Sequence, residues 1–485
     1  MVENFEMYID GGWRPSASGE LIESINPFTG EVWATVPAGT AEDVDAAVSA
    51  AVRASADPTW TRNPKLRAKL LTKLADALAD EAEVLAVTES RDNGKTIREE
   101  RLMNKAVPDW YRYAAALAET AAGETPRGND PAVLSLTERE PYGVIGIQTP
   151  WNTPGVLLAQ MASTALAAGN TIVVKPSEIA PCSLLEFARV AHEVGFPPGV
   201  INVVTGLGPV VGQALCEHSG VDKLTMTGGP EAGRTVATHA AKRLVPAVME
   251  LGGKSANIVF GDADVDRAAV GVAAGFSTSG GQSCVAGTRA LIHRSVYDEV
   301  VERIVELLSK LRLGDPALPD TDLGPMCTPA QVERVQSFVE RGIADGATLR
   351  FGGRTSEHDG TLFYPPVVFT DVKPDMSIFS EEIFGPVLSV LPFDTEDEAI
   401  KLNNATPYGL AAGVWTRDLD RAHRVSRALK VGTVWVNHYR RGDAAFPFGG
   451  CGNSGYGRVS GFDGYREMSR TKSIQILLGA DESGA

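Results

Sequence analysis

One cysteine of this 485-residue chain lies in a segment that suits nucleophilic chemistry. Cys284 follows Gly280-Gly281-Gln282-Ser283 and precedes an apolar run that predicts a strand. A cysteine thiolate is the nucleophile best suited to attack a carbonyl carbon, and glycines allow a substrate to approach the main chain closely. The competing interpretation is a buried, inert thiol, which is the common state of a free cysteine.

Two further side chains offer groups for acid–base chemistry and for hydrogen bonding. Glu250 lies among apolar neighbours in 248–251, where desolvation raises a carboxyl pKa and produces a general base near neutral pH. Asn152 follows a predicted strand, and its amide can donate a hydrogen bond to an oxyanion. The alternatives are a structural or solvated Glu250, and an Asn152 that caps a helix opened by Pro154.

Three segments that follow predicted strands are candidates for binding a dinucleotide. In Gly206–Gly212 the third glycine is one position too late for G-x-G-x-x-G, whereas in Thr227–Gly233 glycines precede a helix whose N-terminus favours a phosphate. Either can equally be an ordinary strand-to-helix turn. Lys175-Pro176-Ser177-Glu178 can hold ribose hydroxyls at the sheet edge, or can be a solvated charge pair in a turn.

The elements that must position these residues alternate between strands and helices. Helical periodicity predicts helices over 41–53 and 65–91. β-rich runs predict strands at 143–147, 171–174, 200–204, 223–226 and 256–260, and in a second block at 290–293, 387–391, 412–415 and 433–436. This alternation indicates two α/β domains with parallel sheets, and residues 121–140 are predicted to form a hairpin excursion.

Composition excludes several classes of protein. The net charge is −16 without a dense run of Lys and Arg, which disfavours nucleic acid and membranes as partners. Five cysteines without C-x-x-C or metal-ligand spacing predict neither a disulfide framework nor a bound metal. The acidic N-terminus does not resemble a signal peptide, and polar residues interrupt the longest apolar stretch, 155–174. We therefore expect a cytoplasmic protein of two or three domains.

Six motifs, taken in order, resemble the motif series of the aldehyde dehydrogenase superfamily. They are Pro150-Trp-Asn-Thr-Pro154, Lys175-Pro-Ser-Glu178, Glu250-Leu-Gly-Gly-Lys254, Gly281-Gln-Ser-Cys284, Glu381-Glu-Ile-Phe-Gly-Pro386 and Pro447-Phe-Gly-Gly450. The resemblance extends from Asn26 to Lys472. It implies an aldehyde dehydrogenase-like α/β fold with a Rossmann-like cofactor-binding domain (1–120 and 142–252), an α/β catalytic domain (253–452), and a small β oligomerisation arm with the C-terminal segment (121–141 and 453–485). It also implies a homodimer or homotetramer.

The resemblance assigns roles to the matching residues. Cys284 matches the catalytic nucleophile, Glu250 the general base and Asn152 the oxyanion donor. The residues that match cofactor contacts are Trp151, Lys175, Ser177, Glu178, Gly208, Gly212, Thr227, Gly228, Gly229, Leu251, Glu382 and Phe384. Those that match the substrate tunnel are Thr153, Leu157, Met161, Val285, Arg440, Gly442 and Phe448. NAD is favoured over NADP, because the Glu178 carboxylate accepts a hydrogen bond from a free 2′-hydroxyl and repels a 2′-phosphate.

The implied reaction is NAD(P)-dependent oxidation of an aldehyde, a small-molecule substrate, to a carboxylic acid through a thiohemiacetal and a thioester on Cys284. A CoA-acylating dehydrogenase is the close alternative, and Glu250 disfavours it because no base for water is then needed. A catalytically silent, crystallin-like homologue and a thiol esterase are the others. Apolar tunnel residues with Gly442 indicate room for a medium or bulky aldehyde, whereas Arg440 or Arg441 offers a partner for a substrate carboxylate.

Three positions depart from the family pattern. Gly229 replaces a Ser found in many members, which removes one hydroxyl contact to the phosphate. Gly452 replaces a common Lys, with an effect expected on packing. Val459 replaces a Glu, so the carboxylate that assists proton transfer from Glu250 in those members is missing here.

Overall fold

The computed structural model describes residues 2–479, in which strands and helices alternate along most of the chain. Met1 and residues 480–485, the end of the predicted C-terminal segment, lie outside the described residues. The strands are β1 Glu3–Asn4, β2 Met7–Ile9, β3 Gly12–Arg14, β4 Leu21–Ile25, β5 Val32–Pro37, β6 Val133–Pro141, β7 Val144–Gln148, β8 Thr171–Lys175, β9 Ile201–Val203, β10 Lys223–Thr227, β11 Ala247–Glu250, β12 Ala256–Val259, β13 Arg289–His293, β14 Thr348–Gly352, β15 Val367–Thr370, β16 Val387–Phe393, β17 Tyr408–Gly409, β18 Ala411–Trp415, β19 Thr433–Val436, β20 Cys451–Gly452, β21 Gly455–Tyr456 and β22 Ser469–Leu477.

The helices cover the faces of the sheets and connect their strands. They are α1 Ala41–Ser55, α2 Pro58–Thr61, α3 Pro64–Asp80, α4 Ala82–Asn93, α5 Ile97–Thr120, α6 Pro154–Ala167, α7 Cys182–Val194, α8 Gln213–Glu217, α9 Pro230–Arg243, α10 Val265–Ser277, α11 Tyr297–Leu308, α12 Pro329–Ala344, α13 Ser377–Ser380, α14 Glu396–Asn403, α15 Leu419–Ala428 and α16 Gly461–Glu467. Among the described residues, no helix is both long enough and apolar enough to cross a lipid bilayer.

The first large sheet has the strand order β21-β11-β10-β7-β8-β9-β2-β3. Its central strands, from β11 to β9, are mutually parallel. β7 and β8 are buried along their whole length, which explains why their sequences are nearly continuous apolar runs. The chain order of the strands reverses between β7 and β10, and ligands bind open α/β sheets at such a point, outside the carboxyl ends of the strands.

The second large sheet has the strand order β14-β15-β16-β13-β12-β18-β19. Its strands are parallel except for β14, which runs antiparallel to β15. The two sheets confirm the predicted pair of α/β blocks. Residues 251–255 connect β11 of the first sheet to β12 of the second, so the end of β11 lies where the two sheets meet.

The predicted hairpin at 121–140 is wrong. β6 pairs antiparallel with β22, near the other end of the chain, from Pro141 opposite Ser469 to Val133 opposite Leu477. The alternation of polar and apolar residues correctly indicated a strand in this segment. Such alternation reports which faces of a strand are buried but does not identify the partner strand.

The predicted helix over 65–91 is two helices, α3 and α4, which meet at Glu81. Both helices pack against α5 and α7, so the apolar periodicity continues across the break and conceals it from a sequence reading. α4 then ends at Gly94, which has the left-handed conformation typical of a helix C-terminus (φ 78°).

Candidate active site

Cys284 lies in the connection between α10 and β13. This connection begins with a turn at Thr278–Gly281, where Ser279, Gly280 and Gly281 have left-handed φ values of 60°, 59° and 69°. A Cβ on Gly281 would lie 2.3 Å from the carbonyl carbon of Gly385. Glycine is therefore needed here for the turn and for packing against Gly385, whereas the sequence suggested a role in substrate approach.

Asn152 is bound to the segment that carries the nucleophile. Its Nδ2 donates a 3.1 Å hydrogen bond to the main-chain oxygen of Gln282, and its side chain is buried. The N-cap of α6 is Thr153, and no side chain caps this helix, so the helix-capping interpretation of Asn152 is wrong. Because a primary amide carries two N–H groups, one donor of Asn152 remains for a ligand.

Glu250 is the last residue of β11, a strand that the sequence pattern did not predict. Its side chain is 3% exposed, and neither carboxyl oxygen has a hydrogen-bond partner among residues 2–479. Burial raises the pKa of Glu250 well above its ordinary value, although the charge of Arg458 opposes this shift. A buried, unpaired carboxylate with a raised pKa is suited to take a proton from water near neutral pH.

The Cys284 thiol lies in the electric field of two carboxyl groups. Burial and, to a smaller extent, the negative charges of Glu382 and Glu250 raise the pKa of Cys284 to about 12, although Arg440 and the main chain of Val285 oppose this shift. The resting thiol is therefore protonated at neutral pH. Since Glu250 acts on the thiol and Asn152 binds Gln282, two residues away, the three candidate catalytic residues meet in one site.

The carboxyl edge of the first sheet carries groups that fit a dinucleotide. Buried Lys175, at the end of β8, forms a 2.8 Å ion pair with Glu178. Burial raises the pKa of Glu178, but the charge of Lys175 and hydrogen bonds, one of them to Gly208, bring it below the ordinary value.

At the start of α9, no side chain caps the helix, and a Cβ on Gly229 would meet no atom within 4 Å. The N–H groups of this helix start therefore face open space, which suits a phosphate.

Other predicted cofactor residues are packed inside the protein. The main-chain oxygen of Gly212 accepts a 3.3 Å hydrogen bond from Gln148, within a π-helical turn at Gly208–Gly212. Leu251 is buried and packs against Gly233 of α9, where a Cβ on Gly233 would lie 2.4 Å from its side chain. Ser177 is also buried, and its Oγ accepts a hydrogen bond from the Ile179 N–H. The roles of these three residues in cofactor binding stay predictions.

The segment at 382–384 lies against the ends of β7 and β11. Phe384 has a left-handed backbone (φ 60°), and its ring contacts Trp151 edge to face at 5.4 Å between ring centroids. Glu382 Oε1 accepts a 3.0 Å hydrogen bond from the Gly253 N–H. Burial raises the pKa of Glu382 to about 7, against the lowering effect of this hydrogen bond. Trp151 thus meets the segment of Glu382 and Phe384, more than 200 residues further along the chain, near the candidate catalytic residues.

Comparison with known families agrees with this geometry. Residues 13–474 match the model of the aldehyde dehydrogenase family. The chain belongs to the aldehyde dehydrogenase family. It is an oxidoreductase of the class that acts on aldehydes, as the resemblance of its motifs implied.

Individual aldehyde dehydrogenases match almost the whole chain. This chain is 42% identical over 480 residues to the (Z)-2-((N-methylformamido)methylene)-5-hydroxybutyrolactone dehydrogenase of Acinetobacter baylyi, and the match covers 98% of each chain. An NAD-dependent aldehyde dehydrogenase from Sinorhizobium meliloti has a TM-score of 0.97 at 40% identity, covering 99% of this chain and 95% of that chain. The NAD+ complex of an aldehyde dehydrogenase from Bacillus cereus has a TM-score of 0.96 at 40% identity, and the match covers 98% of this chain and 97% of that chain.

The predicted substrate residues of this aldehyde dehydrogenase differ in exposure. Met161 is fully buried, and its Sδ lies 3.2 Å from Thr225 Oγ1 and 3.8 Å from the Oγ1 of Thr227, the residue that pairs with Glu250. Gly442 is exposed, with no atom within 4 Å of a Cβ placed on it. Leu157 is buried, while Thr153, Val285, Arg440 and Phe448 are partly exposed. Contact of these residues with the aldehyde stays a prediction.

Sequence reasoning missed two residues that hold the nucleophile segment of this aldehyde dehydrogenase. Glu99 Oε1 accepts a 2.7 Å hydrogen bond from the Ser279 N–H, at the left-handed turn before Cys284. The Tyr439 hydroxyl donates a 2.9 Å hydrogen bond to the main-chain oxygen of Val285. Both contacts join segments more than 150 residues apart, and neither residue stands in one of the six motifs. No local pattern could have identified them.

Proposed function

We propose that this enzyme oxidises an aldehyde to a carboxylic acid through a thioester on Cys284, with Asn152 and Glu250 as its partners and NAD as the oxidant. The observations that carry this proposal are the unpaired, buried carboxyl of Glu250, whose charge acts on the Cys284 thiol, and the hydrogen bond of Asn152 to the segment that contains Cys284. A nucleophile, an oxyanion donor and a base for water are the groups that the reaction requires.

NAD is the cofactor of this enzyme. The Sinorhizobium meliloti structure, 40% identical, is described as NAD-dependent, and the Bacillus cereus structure contains NAD+. Lys175 and Glu178 would hold the adenosine ribose, Gly228 and Gly229 the pyrophosphate, and Glu382 and Phe384 the nicotinamide ribose. When bound, NAD supplies the acceptor for the hydride that leaves the aldehyde carbon.

Acylation begins when the Cys284 thiol releases its proton to solvent and the sulfur, as the thiolate, adds to the aldehyde carbon. The carbonyl oxygen becomes an oxyanion, which the free N–H of Asn152 and the main-chain N–H of Cys284 stabilise. One such donor contributes about 2.7–4 kcal/mol to the transition state. The full negative charge on oxygen makes the carbon–hydrogen bond easier to break, and its loss leaves a thioester on Cys284.

Deacylation requires an activated water molecule. Glu250 accepts a proton from water, the resulting hydroxide attacks the acyl carbon, and the Cys284 thiolate leaves as the carboxylic acid forms. The position of Glu250 at the end of β11, without a competing hydrogen bond, leaves its carboxyl available for this water. A CoA-acylating enzyme would not need this base, so no acyl-CoA is expected when CoA is added.

The test is NADH formation over a panel of aldehydes, with purified wild-type enzyme and two cysteine variants. Cys284→Ala is expected to abolish NADH formation, whereas Cys451→Ala, which changes an exposed cysteine, is expected to retain it. The panel should include a 5-hydroxybutyrolactone, because the Acinetobacter baylyi relative is named for such a compound and its opened ring carries an aldehyde and a carboxylate. Full activity in Cys284→Ala would refute the proposal.

We also propose a homo-oligomer, in which the β6–β22 pair serves as the arm that contacts another subunit. Exposed apolar side chains on this pair, among them Leu134, Ile476 and Leu477, support this role. Size-exclusion chromatography with light scattering would distinguish a monomer from a dimer or a tetramer. The predicted domain limits (1–120 with 142–252, 253–452, and 121–141 with 453–485) and the cytoplasmic location belong to the same proposal.

A further inference from the structure

Residues 439 and 440 bind the two residues that flank the nucleophile in sequence. The Tyr439 hydroxyl donates to the main-chain oxygen of Val285, directly after Cys284. Arg440 Nη2 donates a 3.3 Å hydrogen bond to Ser283 Oγ, directly before Cys284. Arg440 also has a left-handed backbone (φ 61°), a strained conformation for a residue with a side chain and one that is common at ligand sites. The loop therefore holds a guanidinium group next to the reacting sulfur.

One end of the Arg440 guanidinium is buried and unpartnered, although the residue as a whole is partly exposed. Its Nη1 is buried without a hydrogen-bond partner among residues 2–479. No carboxylate among these residues forms an ion pair with Arg440. The Glu99 carboxyl, which lies near enough to interact with its charge, accepts the N–H of Ser279 instead. Desolvating an unpaired cationic group is costly, and a bidentate carboxylate would offset that cost.

A cavity of about 570 Å³ brings a ligand to this guanidinium. Its wall includes Leu102, Met103, Val270, Tyr439 and Arg440, and it is largely apolar along α5 and α10. Arg267 of α10 and Arg441 of the loop also line it, so the end near the loop is cationic. Asp266 also lines the cavity, but it is paired with Arg303 at 3.0 Å. The cavity therefore suits a small molecule with a hydrocarbon part and an anionic end.

We propose that Arg440 binds a carboxylate of the substrate, so that the enzyme prefers a short aldehyde that carries a carboxylate, such as 4-oxobutanoate. The substrate is short because Arg440 binds the residue next to Cys284, and adjacent Cα atoms are only about 3.8 Å apart. Arg427, an exposed arginine on α15 that does not line the cavity, serves as the control. This inference rests on the proposed function, since it places the aldehyde carbon at Cys284.

The test compares kcat/KM for 4-oxobutanoate and for butanal, which has the same carbon chain without the carboxylate, both with NAD. The wild-type enzyme is expected to prefer 4-oxobutanoate at least tenfold. Arg440→Gln is expected to lower this preference at least tenfold, mainly through KM, and Arg440→Lys to restore part of it. Arg427→Gln is expected to keep the preference within twofold of the wild-type value. The ratio is measured because Arg440 also lowers the pKa of Cys284, so its loss slows both substrates.

Each outcome decides the proposal. An equal loss for both aldehydes in Arg440→Gln, or a wild-type preference for butanal, overturns it. If the enzyme oxidises neither of these aldehydes nor any other in the panel, the result refutes the proposed function instead. If Arg440→Gln does not fold, competition by succinate against butanal in the wild-type enzyme decides: competitive inhibition supports the proposal, and its absence overturns it.

Discussion

Asn152 Nδ2 donates a hydrogen bond of 3.1 Å to the main-chain oxygen of Gln282, 130 residues further along the chain. This bond joins the loop after β7, in the first sheet, to the segment before β13, in the second. It fixes the amide beside Cys284 and leaves one N–H for the oxyanion. One hydrogen bond thus links the first sheet to the geometry of the nucleophile.

Asn152→Ala removes both the oxyanion donor and the bond to Gln282. We expect kcat/KM to fall about 100- to 1000-fold, because one oxyanion donor contributes about 2.7–4 kcal/mol. The free energy of unfolding should fall by only about 1 kcal/mol, the net contribution of one hydrogen bond. Steady-state kinetics and urea denaturation measure the two quantities. A kcat/KM within tenfold of wild type would remove Asn152 from the mechanism.

The raised pKa of Cys284 predicts how fast the thiol is alkylated. The thiolate is the reactive form of the cysteine. Because its pKa is about 12, the thiolate fraction at any lower pH increases tenfold when the pH increases by one unit. The rate of alkylation of Cys284 by iodoacetamide, without NAD, should therefore rise steadily from pH 6 to pH 9 with no plateau. Mass spectrometry of the Cys284 peptide separates this rate from that of exposed Cys451. A plateau near pH 7 would show that the protein stabilises the resting thiolate.

The ion pair between Lys175 and Glu178 predicts the choice of cofactor. The wild-type enzyme should prefer NAD to NADP, because the Glu178 carboxylate repels a 2′-phosphate. Glu178→Gln removes this repulsion and frees Lys175, so the ratio of kcat/KM for NAD to that for NADP should fall about tenfold. Glu186→Gln, which changes a carboxylate paired with Arg189 on α7, is the matched control and should keep the ratio. An unchanged ratio in Glu178→Gln would place cofactor selection elsewhere.

The sequence predicted those parts of the fold that depend on local burial. Strands β7 and β8 were recognisable because strands of a parallel sheet that are buried on both faces become continuous apolar runs. Asn152, Lys175 and Glu178 were candidates because each follows such a strand, and the carboxyl ends of parallel strands form one edge of a sheet. The resemblance to a family added the roles of Glu382 and Phe384, which no local pattern indicates.

Long-range contacts could not be predicted from local pattern. The pairing of β6 with β22 joins segments more than 300 residues apart, and alternation within β6 contains no information about its partner. The hydrogen bond from the Ser279 N–H to Glu99 is also a long-range contact. Nothing in the sequence around Glu99 indicates it, since Glu99 occupies an ordinary position on α5. The break between α3 and α4 at Glu81 was missed because both helices bury their apolar sides against the same neighbours.

Glu250→Gln should separate the two halves of the reaction. Acylation of Cys284 does not need the base, so the first turnover should release about one NADH per active site, after which the steady-state rate should be about 100- to 10,000-fold below wild type. Glu217→Gln, which changes an exposed carboxylate on α8, is the control and should turn over normally.

Mass spectrometry of Glu250→Gln, quenched in acid after mixing with NAD and an aldehyde, tests the thioester on Cys284 most directly. We predict that the peptide containing Cys284 gains the mass of the acyl group, and that hydroxylamine removes it. An unmodified Cys284 peptide during the burst of NADH, or an acyl group on another residue, would contradict the proposed mechanism.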